Sequence, residues 1–125
     1  MGRVYAEIKE NGRNLWTIFD TGSRNTYITR SAVQRLPTHR LSVAHRAGLG
    51  GKIRMFEEVC FLDAFVEGKH VSVKAFVTDE LSRDENGRTI EVLFGAIEMQ
   101  NWGIVPIPQE ERLDLSRYPE EFIEF

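Results

Sequence analysis

The chain has 125 residues, of which 42% are hydrophobic, and its formal net charge is −3. This length predicts a single domain with a modest core, and no apolar run is long enough to cross a membrane. Cys60 is the single cysteine, so an internal disulfide is excluded. Because the N-terminal residues also lack the apolar stretch of a signal peptide, we expect a cytoplasmic protein in which Cys60 is a small core residue.

The charges are unevenly distributed. Residues 1–62 carry ten Lys/Arg and five Asp/Glu, whereas residues 63–125 carry six and fourteen. The basic residues between Arg24 and Arg54 are dispersed and have few aromatic neighbours, which favours a solvated face over a nucleic-acid surface. Opposite charges in the two halves can also help one chain, or two chains, to pack.

Alternation of apolar and polar residues predicts strands in the first part of the chain. Asn11-Gly12 is a strong signal for a two-residue hairpin turn, so the first two strands should pair. A short helix should follow and end before Pro37. In chain order, the elements are strand Arg3–Lys9, strand Asn14–Phe19, β segment Asn25–Thr29, helix Arg30–Leu36 and strand Leu41–Ala47.

Three glycines in four residues mark the middle of the chain, at Gly48-Leu49-Gly50-Gly51. Glycine is unfavourable inside a strand, so this segment predicts a mobile hairpin tip, with Lys52–Phe56 as the returning arm. A phosphate-binding loop is a weaker alternative, because no Lys-Ser/Thr pair follows at the required spacing.

The second part of the chain predicts more strands and a second short helix. Its elements are strands Glu57–Val66, His70–Thr78 and Thr89–Phe94, surface loop Glu80–Arg88, helix Ala96–Trp102, and a final hairpin of Ile104–Ile107 with Arg112–Ser116. Many short strands with one or two short helices predict a mostly β, barrel-like domain over residues 1–116. An acidic, aromatic tail follows at residues 117–125.

Asp20 ends the apolar run Trp16–Phe19 and is followed by Thr21, Gly22 and Ser23. An Asp that leaves a hydrophobic strand into a tight, hydroxyl-rich turn is held rigidly and partly shielded from water, where a carboxylate can be tuned for acid–base chemistry. A structural Asp that caps its own loop is the alternative. The motif occurs once in the chain.

The order of these parts resembles the retropepsin-like aspartic proteases, most closely their microbial single-domain members. The resemblance rests on Phe19–Ile28, which contains Asp-Thr-Gly-Ser, and on Val92–Ala96, where Phe94, Gly95 and Ala96 are similar to the second motif of the family. Gly48–Gly51 stands where the family has the tip of its flap. The ordered match covers roughly residues 3–116.

The resemblance implies an aspartic endopeptidase that hydrolyses peptide bonds without a covalent intermediate. In this family two carboxylates share one proton, because both cannot ionise at such short separation. This chain supplies one such Asp, so the resemblance implies a twofold homodimer in which the two copies of Asp20 meet at the axis. It implies a peptide or protein substrate and no cofactor, and the three histidines lack metal-ligand spacing.

The resemblance also implies roles for the residues around Asp20. Thr21 would hydrogen-bond across the dimer axis, and Gly22 would let backbone N–H groups approach the carboxylates. Ser23 would donate to the ionised carboxylate, which favours an acidic pH optimum. Gly48, Leu49, Gly50 and Gly51 would close over substrate as a lid.

Two alternatives stay open. A retropepsin-like fold can persist as a peptide-binding or dimerisation module with little activity, since fold alone does not set function. Asp-Thr-Gly-Ser also resembles motifs of phosphate-handling enzymes, but the further phosphate and metal motifs of those enzymes do not follow in this sequence.

Overall fold

The computed structural model describes residues 2–122, which fold into a closed β-barrel with one two-stranded annex. Within this range the strands are β1 (Arg3–Glu10), β2 (Arg13–Asp20), β3 (Tyr27–Thr29), β4 (Thr38–Leu49), β5 (Lys52–Val66), β6 (Lys69–Thr78), β7 (Val92–Phe94), β8 (Val105–Ile107) and β9 (Arg112–Asp114). The helices are α1 (Arg30–Val33) and α2 (Ala96–Trp102), and a 3₁₀ turn spans Pro108–Glu110. The predicted mostly β, barrel-like fold is confirmed.

The large sheet has the strand order β1-β2-β7-β3-β6-β5-β4. It closes on itself because β1 also pairs with β5, at Lys9 and Phe65. β4 therefore lies outside the ring and pairs along β5 alone. β8 and β9 form the separate two-stranded sheet. Closure buries one face of each ring strand, which explains the period-two pattern of the sequence.

The β1–β2 hairpin turns as its sequence requires. Asn11 and Gly12 both have positive φ, at 47° and 85°, which two-residue hairpin turns demand. The ladder then runs from Glu10 opposite Arg13 to Arg3 opposite Asp20. This register places a cation beside the motif carboxylate.

β7 lies between β2 and β3, parallel to the first and antiparallel to the second. Its contacts with β2 include a fully buried aromatic pair: the rings of Phe19 and Phe94 stack with centroids 4.9 Å apart. Burying each such side chain stabilises the fold by roughly 1.5–3 kcal/mol. Because β2 ends in Asp20 and β7 ends just before Gly95, this pairing brings the two sequence motifs together.

Two hydrophobic clusters support the barrel. The larger fills its interior and includes Val4, Leu15, Ile28, Leu62 and Val71. The smaller consists of Tyr27, Phe56, Val59 and Phe76 and lies beneath the base of the β4–β5 hairpin. Because Phe56 and Val59 belong to β5, this second cluster ties the hairpin to Tyr27 and Phe76 of the barrel.

Several boundaries differ from the predictions. The first helix ends at Val33 rather than Leu36, because Pro37 disfavours a helical backbone in the preceding residue and Gln34 already has a φ of 46°. The predicted strand Thr89–Phe94 shortens to β7, and Thr89 instead forms an isolated bridge with Arg83. Lys52–Phe56 and Glu57–Val66 are one continuous strand, β5.

The described part of the C-terminal tail packs on the barrel. The Tyr118 hydroxyl donates to the carbonyl of His70 at 2.6 Å, and its ring stacks on Trp102 with centroids 6.1 Å apart. Residues 123–125 of the predicted tail lie outside the described residues. No helix between residues 2 and 122 is long and apolar enough to cross a membrane.

Candidate active site at Asp20

The Asp20 side chain is buried, with 7% of the residue exposed, and its carboxylate has a fixed orientation. The backbone N–H of Gly22 donates to Oδ1 at 2.8 Å. The N–H of Ser23 donates to the Asp20 carbonyl at 3.1 Å, which closes the turn. Hydrogen bonds to a charged acceptor are stronger than neutral ones, so the turn holds this carboxylate firmly.

Arg3 contacts the other carboxylate oxygen. Its Nε lies 3.4 Å from Oδ2 of Asp20, as the opposed positions of the two residues in the β1–β2 ladder dictate. The Arg3 side chain is about half exposed, so the ion pair is screened by water and contributes little stability. The pair matters for its location, because the Arg3 guanidinium lies beside Oδ2, the carboxylate oxygen that the Gly22 N–H does not bind.

Thr21 lies on the outside of the turn and is bound by the N-terminal segment. Its backbone N–H donates to the Gly2 carbonyl at 3.0 Å, and the Gly2 N–H donates to Oγ1 of Thr21 at the same distance. The residue is exposed and does not line the cleft described below. Thr21, which was expected to hydrogen-bond across a dimer axis, therefore already has partners for its N–H and its hydroxyl within one chain.

The Ser23 hydroxyl does not bind where the sequence led us to expect it. It donates to the carbonyl of Asn25 at 3.0 Å and not to the Asp20 carboxylate. The short Ser23 side chain is turned toward its own loop, where this bond to a backbone carbonyl satisfies its hydroxyl locally. The inference of an acidic pH optimum from a Ser23–carboxylate bond therefore loses its basis.

The second motif caps this loop. The N–H groups of Ala96 and Ile97, which open α2, donate to the carbonyls of Ser23 and Arg24 at 2.7 and 3.1 Å. The N–H of Gly95 donates to the buried Oγ1 of Thr26 at 2.9 Å. The first N–H groups of a helix lack partners within it, so the loop after Asp20 satisfies them.

Gly95 permits this close approach. A Cβ at that position would lie 2.1 Å from the carbonyl oxygen of Asn25 and 2.5 Å from its carbonyl carbon. Both atoms are backbone, so no rotamer change relieves the clash. Phe94 is buried in the core, and Ala96 begins α2, so the second motif supports the site from behind and does not line the cleft.

The Gly-rich segment forms the tip of the β4–β5 hairpin. Gly50 and Gly51 have φ of 62° and 81° and form a two-residue turn between the paired residues Leu49 and Lys52. This tip borders a cleft of about 1100 Å³ whose floor carries Asp20. This volume slightly exceeds the range of about 300–1,000 Å³ that is usual for small-molecule sites.

The structure brings residues of two predicted segments together around this cleft. Asp20, Gly22 and Ser23 line it from the motif, and Gly48, Leu49 and Gly50 line it from the hairpin. The other predicted residues do not line it, and these are Thr21, Gly51, Phe94, Gly95 and Ala96.

Several residues of the cleft wall were not anticipated from the sequence. These include Arg3, Asn25, His45, Arg54 and the loop residues 80–85. Tyr27 also lines the cleft, and burial raises its pKa although a hydrogen bond from Asn25 opposes the shift. The position of Arg3 could have been predicted from the sequence, because a two-residue turn at Asn11-Gly12 places it opposite Asp20. The position of His45 could not, because an irregularity in β4 determines it.

The fold matches solved retroviral and retroviral-like proteases. The EIAV protease in complex with the inhibitor HBY-793 superposes with a TM-score of 0.59 at 17% identity, over 84% of this chain and 92% of that one. The retroviral protease-like domain of Ddi1 from Leishmania major gives 0.60 at 11% identity, over 93% and 90%. At such identities the likeness establishes a retropepsin-like fold.

A third structure extends the same likeness to a longer chain. The foamy viral protease–reverse transcriptase in complex with an RNA/DNA hybrid gives a TM-score of 0.58 at 13% identity, over 85% of this chain and 12% of that one. No protein-family model matches the chain, and no curated protein sequence matches it.

Proposed function

We propose that the protein is an aspartic endopeptidase that works as a homodimer, with Asp20 from each chain forming the catalytic pair. The observation that carries this proposal is the buried, oriented Asp20 carboxylate in a cleft of about 1100 Å³ bordered by the Gly-rich hairpin. The retropepsin-like fold supports it, since the structural neighbours are proteases or protease-like domains. The buried free thiol of Cys60 is consistent with a reducing, cytoplasmic setting.

The homodimer follows from the chemistry of hydrolysis. An uncatalysed water is a poor nucleophile, and this mechanism activates it between two carboxylates that share a proton. One carboxylate accepts a proton from the water, while the protonated one donates a hydrogen bond to the scissile carbonyl. Each chain carries one Asp-Thr-Gly-Ser motif, so a second chain completes the site.

The other site residues have supporting roles in this proposal. Gly22 fixes the carboxylate through its N–H at 2.8 Å, so the attacking water meets an oriented base. Gly48, Leu49 and Gly50 cover the cleft and exclude bulk water when substrate is bound. Gly95 and Ala96 hold the loop after Asp20 against α2.

One observation favours a catalytically weak peptide-binding or dimerisation module as a second candidate. Arg3 lies 3.4 Å from Oδ2 of Asp20, and Gly2 binds both the N–H and the hydroxyl of Thr21. Arg3 competes for the lone pairs that a shared proton or a bound water needs. In an active dimer the half-exposed Arg3 side chain would therefore have to leave Oδ2 of Asp20.

Peptide cleavage tests the enzyme hypothesis. Wild type and Asp20→Asn should be compared on a peptide mixture from acidic to neutral pH, with Asp79→Asn as the matched control because Asp79 is exposed and does not line the cleft. We expect wild type and the control to cleave and Asp20→Asn to lose at least about a hundredfold in rate, as when a general base is removed. Equal cleavage by Asp20→Asn, or none by wild type, contradicts the enzyme hypothesis.

Solution mass tests the shared site. Sedimentation across a concentration series should show a dimer at the concentrations where cleavage occurs. Cleavage by a strictly monomeric species contradicts the paired-Asp20 mechanism, whereas peptide binding without turnover favours the module.

A further inference from the structure

The pairing between β4 and β5 is irregular at one place in β4. Arg40 pairs with Glu58, but the next paired residue, His45, lies opposite Phe56. Residues 41–44 of β4 therefore lie opposite a single residue of β5, Glu57, and the regular ladder is interrupted there. Such bulges bend a strand and loosen its pairing, so this one marks a hinge between the barrel and the hairpin arm, residues 45–56.

His45 is the first paired residue beyond the bulge and contacts the body of the protein twice. Its ring stacks on Phe76 of β6, with centroids 4.1 Å apart and planes 10° from parallel. Its Nε2 lies 3.4 Å from Nδ2 of Asn25, within hydrogen-bonding distance. Phe76 is 7% exposed and belongs to the aromatic cluster under the hairpin, so it offers a rigid surface.

Asn25 connects this contact to the motif loop. Its carbonyl accepts the Ser23 hydroxyl at 3.0 Å and lies against Gly95 so closely that no Cβ fits there. The backbone of Asn25 is thus fixed two residues after Ser23 and five after Asp20. A side chain bonded to Asn25 therefore has a defined position relative to the carboxylate.

We propose that His45 is a positioning residue that fixes the hairpin arm over Asp20 by stacking on Phe76 and bonding Asn25. This inference rests on the proposed function for its catalytic consequence, because the arm would serve as the flap over substrate. The imidazole suits both contacts, because its planar face packs on an aromatic ring while its edge offers a nitrogen acceptor. The bulge supplies the flexibility, and His45 limits it.

The test uses His45→Phe, which keeps an aromatic ring but removes the nitrogen acceptor, and His45→Ala, which removes both contacts. His39→Phe is the matched control, since His39 is an exposed histidine on the same strand before the bulge. Hydrogen exchange of the amides in residues 46–55 reports the arm, and exchange in β6 reports the barrel. Losing one modest hydrogen bond should speed arm exchange roughly two- to tenfold.

We expect faster arm exchange in both His45 variants, larger in His45→Ala, with exchange in β6 and the thermal midpoint as in the control. With a cleaved peptide, KM should rise while kcat stays close to wild type, because the arm binds substrate and Asp20 is untouched. Arm exchange equal to that of His39→Phe overturns the inference even if the enzyme is active. If wild type cleaves nothing, the proposed function fails, and arm exchange alone decides the role of His45.

Discussion

Replacing Gly95 by alanine tests the joint between the two motifs. The added Cβ would lie 2.1 Å from the carbonyl oxygen of Asn25 and 2.9 Å from that of Arg24. Nonbonded carbon and oxygen do not approach so closely, so the loop after Asp20 must retreat by about an ångström. That movement strains the bonds from Gly95 and Ala96 to the loop, which are 2.9 and 2.7 Å long.

The expected loss of stability in Gly95→Ala is large because overpacking and strained hydrogen bonds both contribute to it. Overpacking a rigid site costs about 1–3 kcal/mol, and each strained hydrogen bond adds about 0.5–1.5 kcal/mol. We therefore expect Gly95→Ala to lower the free energy of unfolding by about 3 kcal/mol or more, a large part of the total stability of a domain of this size. Cleavage should also be lost, since the same movement displaces the Asp20 turn.

Equilibrium urea unfolding measures this change, with Gly48→Ala as the matched control. A Cβ at Gly48 meets nothing within 4 Å, and the φ of Gly48 is not positive, so this variant should stay within about 0.5 kcal/mol of wild type. If Gly95→Ala does not fold, Thr26→Val tests the same joint more gently, because it removes only the hydroxyl that accepts the Gly95 N–H. Wild-type stability in both Gly95→Ala and Thr26→Val would refute the argument.

Two further predictions concern ionisable groups outside the motif. Burial raises the pKa of Asp84, but hydrogen bonds from the backbone of Arg88 and from the indole of Trp16 outweigh it and hold the pKa below its ordinary value of 3.8. Because folding lowers the pKa of Asp84, its ionised form stabilises the folded loop above pH 3.8, and this stabilisation is lost as pH falls through the folded pKa. The fluorescence of Trp16, read in a Trp102→Phe background, should therefore change in acid. The same change in Asp84→Asn would contradict this prediction. Burial raises the pKa of Cys60 to about 11, so a thiol reagent at neutral pH should label it only on unfolding; rapid labelling of the folded protein would contradict its burial.

Much of the barrel was predictable because its rules are local. The Asn11-Gly12 turn fixes the β1–β2 register, and the alternating apolar residues then fill one face of the sheet. The place of Arg3 beside Asp20 follows from the same register. Burial of Asp20 was also predictable, since it directly follows Leu15–Phe19, a run that is apolar except for Thr17.

The hairpin arm was not predictable in detail because its geometry depends on an insertion into the ladder. Strict alternation puts Leu41, Val43 and His45 on one face, yet Val43 is 80% exposed while His45 stacks on Phe76. The bulge between Arg40 and His45 changes which side chains face inward, and residue types alone do not reveal where a strand bulges. The role of His45 therefore emerges only from the structure.

Thr21 shows a second limit, with a consequence for the proposed dimer. The resemblance to retropepsin-like proteases implied that Thr21 bonds across the axis, but Gly2, just before β1, bonds its N–H and its hydroxyl within one chain. A bond across the axis would then replace an existing bond, and such an exchange contributes little net free energy. Association would have to be stabilised chiefly by apolar surface buried between the chains, less the cost of moving Gly2 and Arg3. The proposed dimer is therefore expected to depend on concentration, and its site to assemble only where two chains meet.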